Sequence, residues 1–178
     1  MASRRNSGSV TKIANSLAGS LIADWSKPAQ FQDAYAVRID RPLDGSMYDI
    51  IMPTLASPPG WLKGLFGLRD ALVRPFGVRT TEAMRQAAHG RRIDFFRIQD
   101  ETADEVVLGE DDWHLDFRVS IRRQRLPSGT LIVTTTAVRI NNAFGRLYLF
   151  AIAPFHRLIV RASLRRMAAS LDDRQANR

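Results

Sequence analysis

The sequence predicts an α+β domain in which a curved antiparallel sheet is covered by a long C-terminal helix, with two short helices after the first strand. Three observations predict it. Residues 142–167 (NAFGRLYLFAIAPFHRLIVRASLRRM) form the longest stretch of helical spacing in the chain. Segments of strand-like alternation follow one another closely between Ile93 and Ile140. Two proline-bounded helical stretches separate the first alternating segment from the rest.

Taken in order, Met1 to about Ser9 is polar and rich in Ser and Arg, and reads as disordered. Val10, Ile13, Leu17, Leu21 and Trp25 then recur at helical spacing until Pro28, giving a short helix or a loosely held arm. Residues 13–23, behind Arg4 and Arg5, faintly resemble a signal peptide, but Asn15, Ser16, Gly19 and Ser20 interrupt the apolar region. Residues 1–31 are therefore assigned to a flexible or partly helical arm, 32–170 to the compact domain and 171–178 to a disordered tail.

Within the domain, Tyr35, Val37 and Ile39 alternate with Ala36 and Arg38 as a half-buried strand does, and Arg41-Pro42 stops it. Asp44 or Ser46 can cap a helix over 47–56, which Pro58-Pro59-Gly60 ends. Trp61, Leu62, Leu65, Phe66, Leu68, Leu72 and Val73 outline a second amphipathic helix, closed by Arg74-Pro75 and Gly77. With Trp61 and Lys63 its apolar face could lie on a membrane; docking on the sheet is the simpler use. A turn or two of helix is expected from Thr81 to His89, stopped by Gly90. Strands follow at Ile93–Ile98, Glu105–Leu108, Trp113–Arg123 and Thr130–Ile140, with Pro127-Ser128-Gly129 turning the last hairpin.

On the terminal helix, Leu147, Tyr148, Ala151, Ile152, Phe155, Leu158, Ile159 and Ala162 gather on one side. Arg146, Arg157, Arg161 and Arg165 gather on the other. Pro154, which lacks an N–H, should kink or divide it. Where a curved sheet wraps such a helix without filling the space, a cavity can remain for an apolar ligand.

Composition narrows the function classes. At 178 residues the chain buries roughly 70% of its unfolded surface and needs no metal or disulfide staple. It has no cysteine, which excludes thiol catalysis and thiolate metal sites. Basic residues number 26 against 18 acidic, and all but Lys12, Lys27 and Lys63 are arginine. From Asp100 to Asp116 there are eight carboxylates and no Arg or Lys, an island that would repel phosphates, so no nucleic-acid partner is expected. No apolar run reaches the length of a membrane span, and the protein is expected in the cytoplasm. The oligomeric state is left open.

The densest polar stretch runs from Leu108 to Arg118. Under strand alternation Asp112, His114, Asp116, Arg118 and Ser120 share one face, and Trp113, Leu115, Phe117, Val119 and Ile121 the other. A histidine flanked by two carboxylates can do acid/base work. A wet face of cross-strand ion pairs is the simpler explanation. His114, Asp116 and His156 also match the outline of a two-His, one-carboxylate iron site, but His156 lies on a helix and the three need not converge, so no metal and no cofactor is expected. Trp61 and Tyr148 offer polar handles on apolar bodies, Phe155 and His156 can reach the cavity, and Arg69 among apolar neighbours can anchor a carboxylate. There is no P-loop, G-x-G-x-x-G, G-x-S-x-G or H-E-x-x-H.

Three segments in this order carry a resemblance: WLKGLFGLRDALVRPFG (61–77), VVLGEDDWHLDFRVSI (106–121) and FGRLYLFAIAPFHRLIVRASLRR (144–166). Over about residues 32–168 the chain resembles a bacterial domain-of-unknown-function family, itself similar to the START and polyketide-cyclase superfamily. Its C-terminal block is also similar to the end of some epimerase-like NAD(P)-binding proteins. The resemblance implies a helix-grip fold, often with a hydrophobic cavity, and lends no catalytic residues. The leading expectation is a non-enzymatic binder of a small hydrophobic or amphipathic ligand, contacted by Trp61, Arg69, His114, Asp116, Tyr148, Phe155 and His156. A cyclase, dehydratase or isomerase using His114 with Asp112 or Asp116 is the alternative. A third is an interaction module that binds an acidic partner through its basic helix face or N-terminal arm.

Overall fold

A computed structural model of the chain describes residues 8–14, 17–86 and 91–176. Its elements run β1 (Val10–Lys12), β2 (Phe31–Ile39), α1 (Met47–Leu55), α2 (Gly60–Val73), a 3₁₀ turn (Arg74–Phe76), α3 (Thr81–Gln86), β3 (Arg92–Ile93), β4 (Phe96–Glu101), β5 (Glu105–Asp111), β6 (Leu115–Leu126), β7 (Gly129–Ile140) and α4 (Ala143–Ala176). The strands form one sheet in the order β1-β2-β7-β6-β5-β4-β3, every pair antiparallel. With α4 gripped on its inner face, this is the helix-grip arrangement.

Among the described residues seven strands are present where the alternation pattern shows five. The stretch expected as one strand over Ile93–Ile98 folds back on itself at Asp94, whose φ of 55° puts it in the left-handed region that Asp tolerates. The other extra strand is β1, which pairs with β2 through Val10↔Val37 and Lys12↔Tyr35. The N-terminal segment is thus no helix over its described residues. Its helical spacing arises from a strand and a run of turns packed on the sheet's outer face, where Ile22 is buried against Val107 and Ala137.

Polar contacts fix that segment. The buried Glu105 carboxylate accepts from the Ser20 hydroxyl and the Ser120 hydroxyl, each at 2.6 Å, and from the Leu21 N–H at 3.1 Å. Trp25 packs against two guanidinium groups, with Arg139 4.1 Å and Arg118 4.7 Å from its ring centre. Residues 1–7 and 15–16, where disorder and the interrupted apolar region were read, lie outside the described residues, as do 87–90 with His89 and the expected Gly90 stop.

The inner face carries the core. Val37 and Ile39 of β2, Ile132 of β7, Met47 and Ile51 of α1, and Leu164, Met167 and Leu171 of α4 pack together. Ser46 caps α1, accepting from the Asp49 N–H at 3.2 Å. The terminal helix runs on through 171–176, expected as a disordered tail, and Leu171 is buried. It also continues through Pro154 as one element.

Only the second half of α4 is anchored in this core. Before Val160, Gly145 is its only buried residue. The face assigned to the core from spacing is therefore only partly inward: Tyr148, Ile152 and Ile159 are half-buried, whereas Leu147, Phe155 and Leu158 are exposed. Over Ala143–Asp173 the helix is long and apolar enough to cross a membrane by length and composition. The sequence shows no uninterrupted span because Arg146, His156 and Arg157 break the run.

The root of α4 is clamped to the turn between β5 and β6. Asn141 N–H donates to the His114 carbonyl at 3.0 Å, Asn142 Nδ2 to the Trp113 carbonyl at 2.9 Å, and Asn142 Oδ1 caps the helix on the Gly145 N–H at 2.9 Å. A Cβ on Gly145 would sit 2.0 Å from the His114 carbonyl oxygen. Elsewhere in a helix Gly→Ala gains up to about 1 kcal/mol. Here the backbone clash dominates, and Gly145→Ala should lower stability by about 1–3 kcal/mol in urea unfolding. An unchanged or raised midpoint would show that the contact is not tight.

Candidate functional site

Small side chains on the sheet lie beneath the unanchored half of α4. Register places Thr134, Thr136 and Val138 of β7 beside Val119 and Phe117 of β6 on the inner face. These do not reach the helix, and a cavity of about 310 Å³ remains between the sheet, α2 and α4. It is at the small end of the range for ligand pockets. Leu62, Leu65 and Phe66 of α2 and Leu149, Ile152 and Ile159 of α4 supply much of its apolar wall. Leu68 and Phe155 both line it and are exposed, which places them at its mouth.

Asp94 and Glu110 also reach this wall, paired with Arg85 and Arg92, and polar groups with open valences enter it in two places. At the first, Arg69 Nε donates to the Tyr148 hydroxyl at 3.0 Å, and Arg69 Nη1 donates to Asp70 Oδ1 at 2.8 Å and to the Arg79 carbonyl at 2.7 Å. Asp70 in turn accepts from the Thr81 N–H, the first residue of α3, at 2.8 Å. Burial disfavours the Arg69 cation, but Tyr148 and Asp70 outweigh it, so its pKa moves up and it keeps its charge. His114 stands edge-on to Tyr148 with ring centres 4.9 Å apart. Its Nδ1 is 3.8 Å from Asp112 Oδ2, and neither ring nitrogen makes a hydrogen bond among the described residues.

At the second place, His156 Nε2 lies 3.5 Å from Asp33 Oδ1, over the β2–β7 pair where Asp33 faces Thr136. The buried His156 Nε2 and Thr136 Oγ1 have no hydrogen-bond partner among the described residues, and both residues line the cavity. Buried polar atoms are rarely left unpaired, so those facing a cavity are where a bound molecule's polar groups would be held.

Of the residues singled out from sequence, Arg69, His114, Tyr148, Phe155 and His156 line the cavity, and Asp112 does too. Trp61 does not: it is exposed on the outer side of α2. Asp116 also lies elsewhere. The expected strand from Trp113 breaks at Asp112–His114, where the Asp112 N–H donates to the Leu115 carbonyl at 3.1 Å and closes a turn. The turn resets the alternation, so His114 points inward while Asp116 stays on the outer face and accepts from the Asp112 N–H and from Asn141 Nδ2, both at 3.2 Å. His114, Asp116 and His156 therefore do not converge. Among the described residues no group of three or more His, Asp or Glu side chains could hold a metal ion.

Sequence reasoning missed Asp33 and Thr136, because an acid in an alternating strand reads as part of the polar face. It also missed Glu110, which is buried and paired with Arg92 at 2.6 Å. The strand register alone, Asp33 being two residues before Tyr35 on the inward face, was the signal available.

The family model DUF2867, protein of unknown function, matches residues 25–163. It spans well over half of the chain, which belongs to this family. No curated protein and no solved structure matches the chain.

Burial, the largest influence, holds His114 below the ordinary 6.5; Asp112 pulls it up, Arg69 pushes it down and Asp116 pulls it up. The folded protein therefore binds fewer protons at this site than the unfolded chain as pH falls through 6.5. Stability should rise with pH across the window below that value and level off above it. In urea titrations His114→Phe should lose this component, at most about 1.4 kcal/mol per pH unit. Parallel pH profiles for the two proteins would contradict a buried neutral imidazole.

Proposed function

We propose that this DUF2867 domain binds a small, mostly apolar or amphipathic molecule in the cavity between its sheet and the first half of α4. The observation that carries the reading is a cavity with an apolar wall and a cation at one end. Arg69 Nη2 has no hydrogen-bond partner among the described residues, although Nε and Nη1 are both taken. A guanidinium so held is pre-oriented toward a carboxylate or another anionic head. Its neighbours Tyr148 and His114 offer a hydroxyl and an imidazole. The helix-grip arrangement and the resemblance to the START and polyketide-cyclase superfamily support the same reading by analogy.

A second reading has one specific observation behind it. His114 and Asp112 both line the cavity, and a neutral imidazole there can take a proton from a bound substrate. A cyclase, dehydratase or isomerase step would then use His114 as base with Asp112 orienting it. His114→Gln that retains ligand binding but loses turnover would favour this reading over simple binding.

Native mass spectrometry of protein purified without denaturation should show a bound species. Medium-chain carboxylic acids or aromatic acids should raise Tm, by about 2.7 kcal/mol of stabilisation at a hundredfold excess over Kd. Val119→Phe, which fills the cavity, should abolish the shift. Arg69→Gln should weaken acids more than their neutral amides. No bound species and no stabilisation by any such compound would refute the proposal.

A further inference from the structure

α4 is apolar on two sides. One side faces the cavity, and on the other Leu147 is 67% exposed, Phe150 81% and Leu158 52%. The surface does not end at α4. Phe144 packs on Phe76 with ring centres 5.0 Å apart and stacks on Trp113 at 5.1 Å, and Phe76 and Trp113 are themselves exposed. Across the cavity mouth α2 adds Trp61 and Leu68, one on each side of Gly64 on an exposed stripe. Exposed apolar side chains gathered in this way on a protein surface mark a contact face.

Its charge indicates what it contacts. Arg146, Arg157, Arg161 and Arg165 of α4 and Lys63 and Arg74 beside α2 are exposed, and none makes an ion pair among the described residues. No carboxylate of these two helices balances them: α4 has no acid before Asp172, and the one acid of α2, Asp70, is held by Arg69 and Thr81. Two copies meeting through this face would set arginine against arginine. Large aromatic and aliphatic side chains flanked by unpaired cations suit the interface of an anionic bilayer, where tryptophan rings sit among the head groups. A full span is excluded by the anchoring of α4 from Val160 onward. The remaining 17 residues rise about 25 Å, short of the hydrocarbon core, and carry Arg146, His156 and Arg157.

We infer that the outer face of α2 and of the first half of α4 docks on an anionic membrane surface, lying in its plane and presenting the cavity mouth to it. The inference does not need the cavity to bind anything. It predicts that the full chain sediments with phosphatidylcholine vesicles containing phosphatidylglycerol and much less with phosphatidylcholine alone, and that added salt weakens the binding. Tryptophan emission should shift to the blue from Trp61 and Trp113, which W61F/W113F should abolish. Phe150→Glu, at a site outside the cavity wall, should weaken binding at least ~tenfold while leaving the circular dichroism spectrum and Tm unchanged. Arg157→Gln with Arg161→Gln should weaken it about fivefold per arginine. Equal binding to neutral vesicles, no binding, or binding unaffected by Phe150→Glu would overturn the inference. So would sedimentation velocity showing a dimer that Phe150→Glu dissolves, without vesicle binding, or an acidic protein competing where vesicles do not.

Discussion

The contact of the α4 root with the Asp112–His114 turn is the constraint on which the rest depends. Gly145 lets the helix backbone lie directly against the His114 carbonyl, and Asn141 and Asn142 hold both sides of that contact by hydrogen bonds. One end of the helix is thus fixed at the sheet's rim, and Leu164, Met167 and Leu171 fix the other in the core. The segment between is a bridge over Thr134, Thr136 and Val119, side chains too short to fill the space beneath it. The cavity follows from those two supports and that floor.

The same turn decides the site chemistry. Without it, β5 and β6 would run on with His114 and Asp116 on one face. With it, His114 enters the cavity beside Tyr148, and Asp116 becomes an acceptor for turn and clamp donors. A polar residue two positions from another need not be its partner when a turn lies between them.

Much of the architecture was legible in the sequence, and the reasons are local. Proline pairs and Gly60 bound α1 and α2, period-two alternation marks β2, β6 and β7, and Pro127-Ser128 closes their hairpin. What was hidden depends on distant contacts. Val10 to Trp25 reads as a helix because its apolar residues recur every three or four positions; the pull of β2's free edge and of Glu105 is invisible from within the segment. Leu147 and Leu158 read as core because helical spacing cannot say which of two apolar faces the fold covers. Of the site, Arg69, His114, Tyr148 and His156 stood out as polar groups among apolar neighbours, whereas Asp33 and Thr136 gained meaning only from their register across the strands.

The lengths of the two outermost strands have a further consequence. β1 is three residues long and β3 two, so each edge offers little unpaired backbone, and the sheet's outer face is covered over Val107 and Ala137 by the N-terminal turns. Outside these pairings only short stretches of β2 and β4 remain at the edges, which gives another chain a limited template for strand addition, the route by which β-rich proteins polymerise. The apolar surface that the molecule leaves open is helical. Helical surfaces adhere through side chains and release again, so this fold can carry a greasy face without inviting cross-β growth.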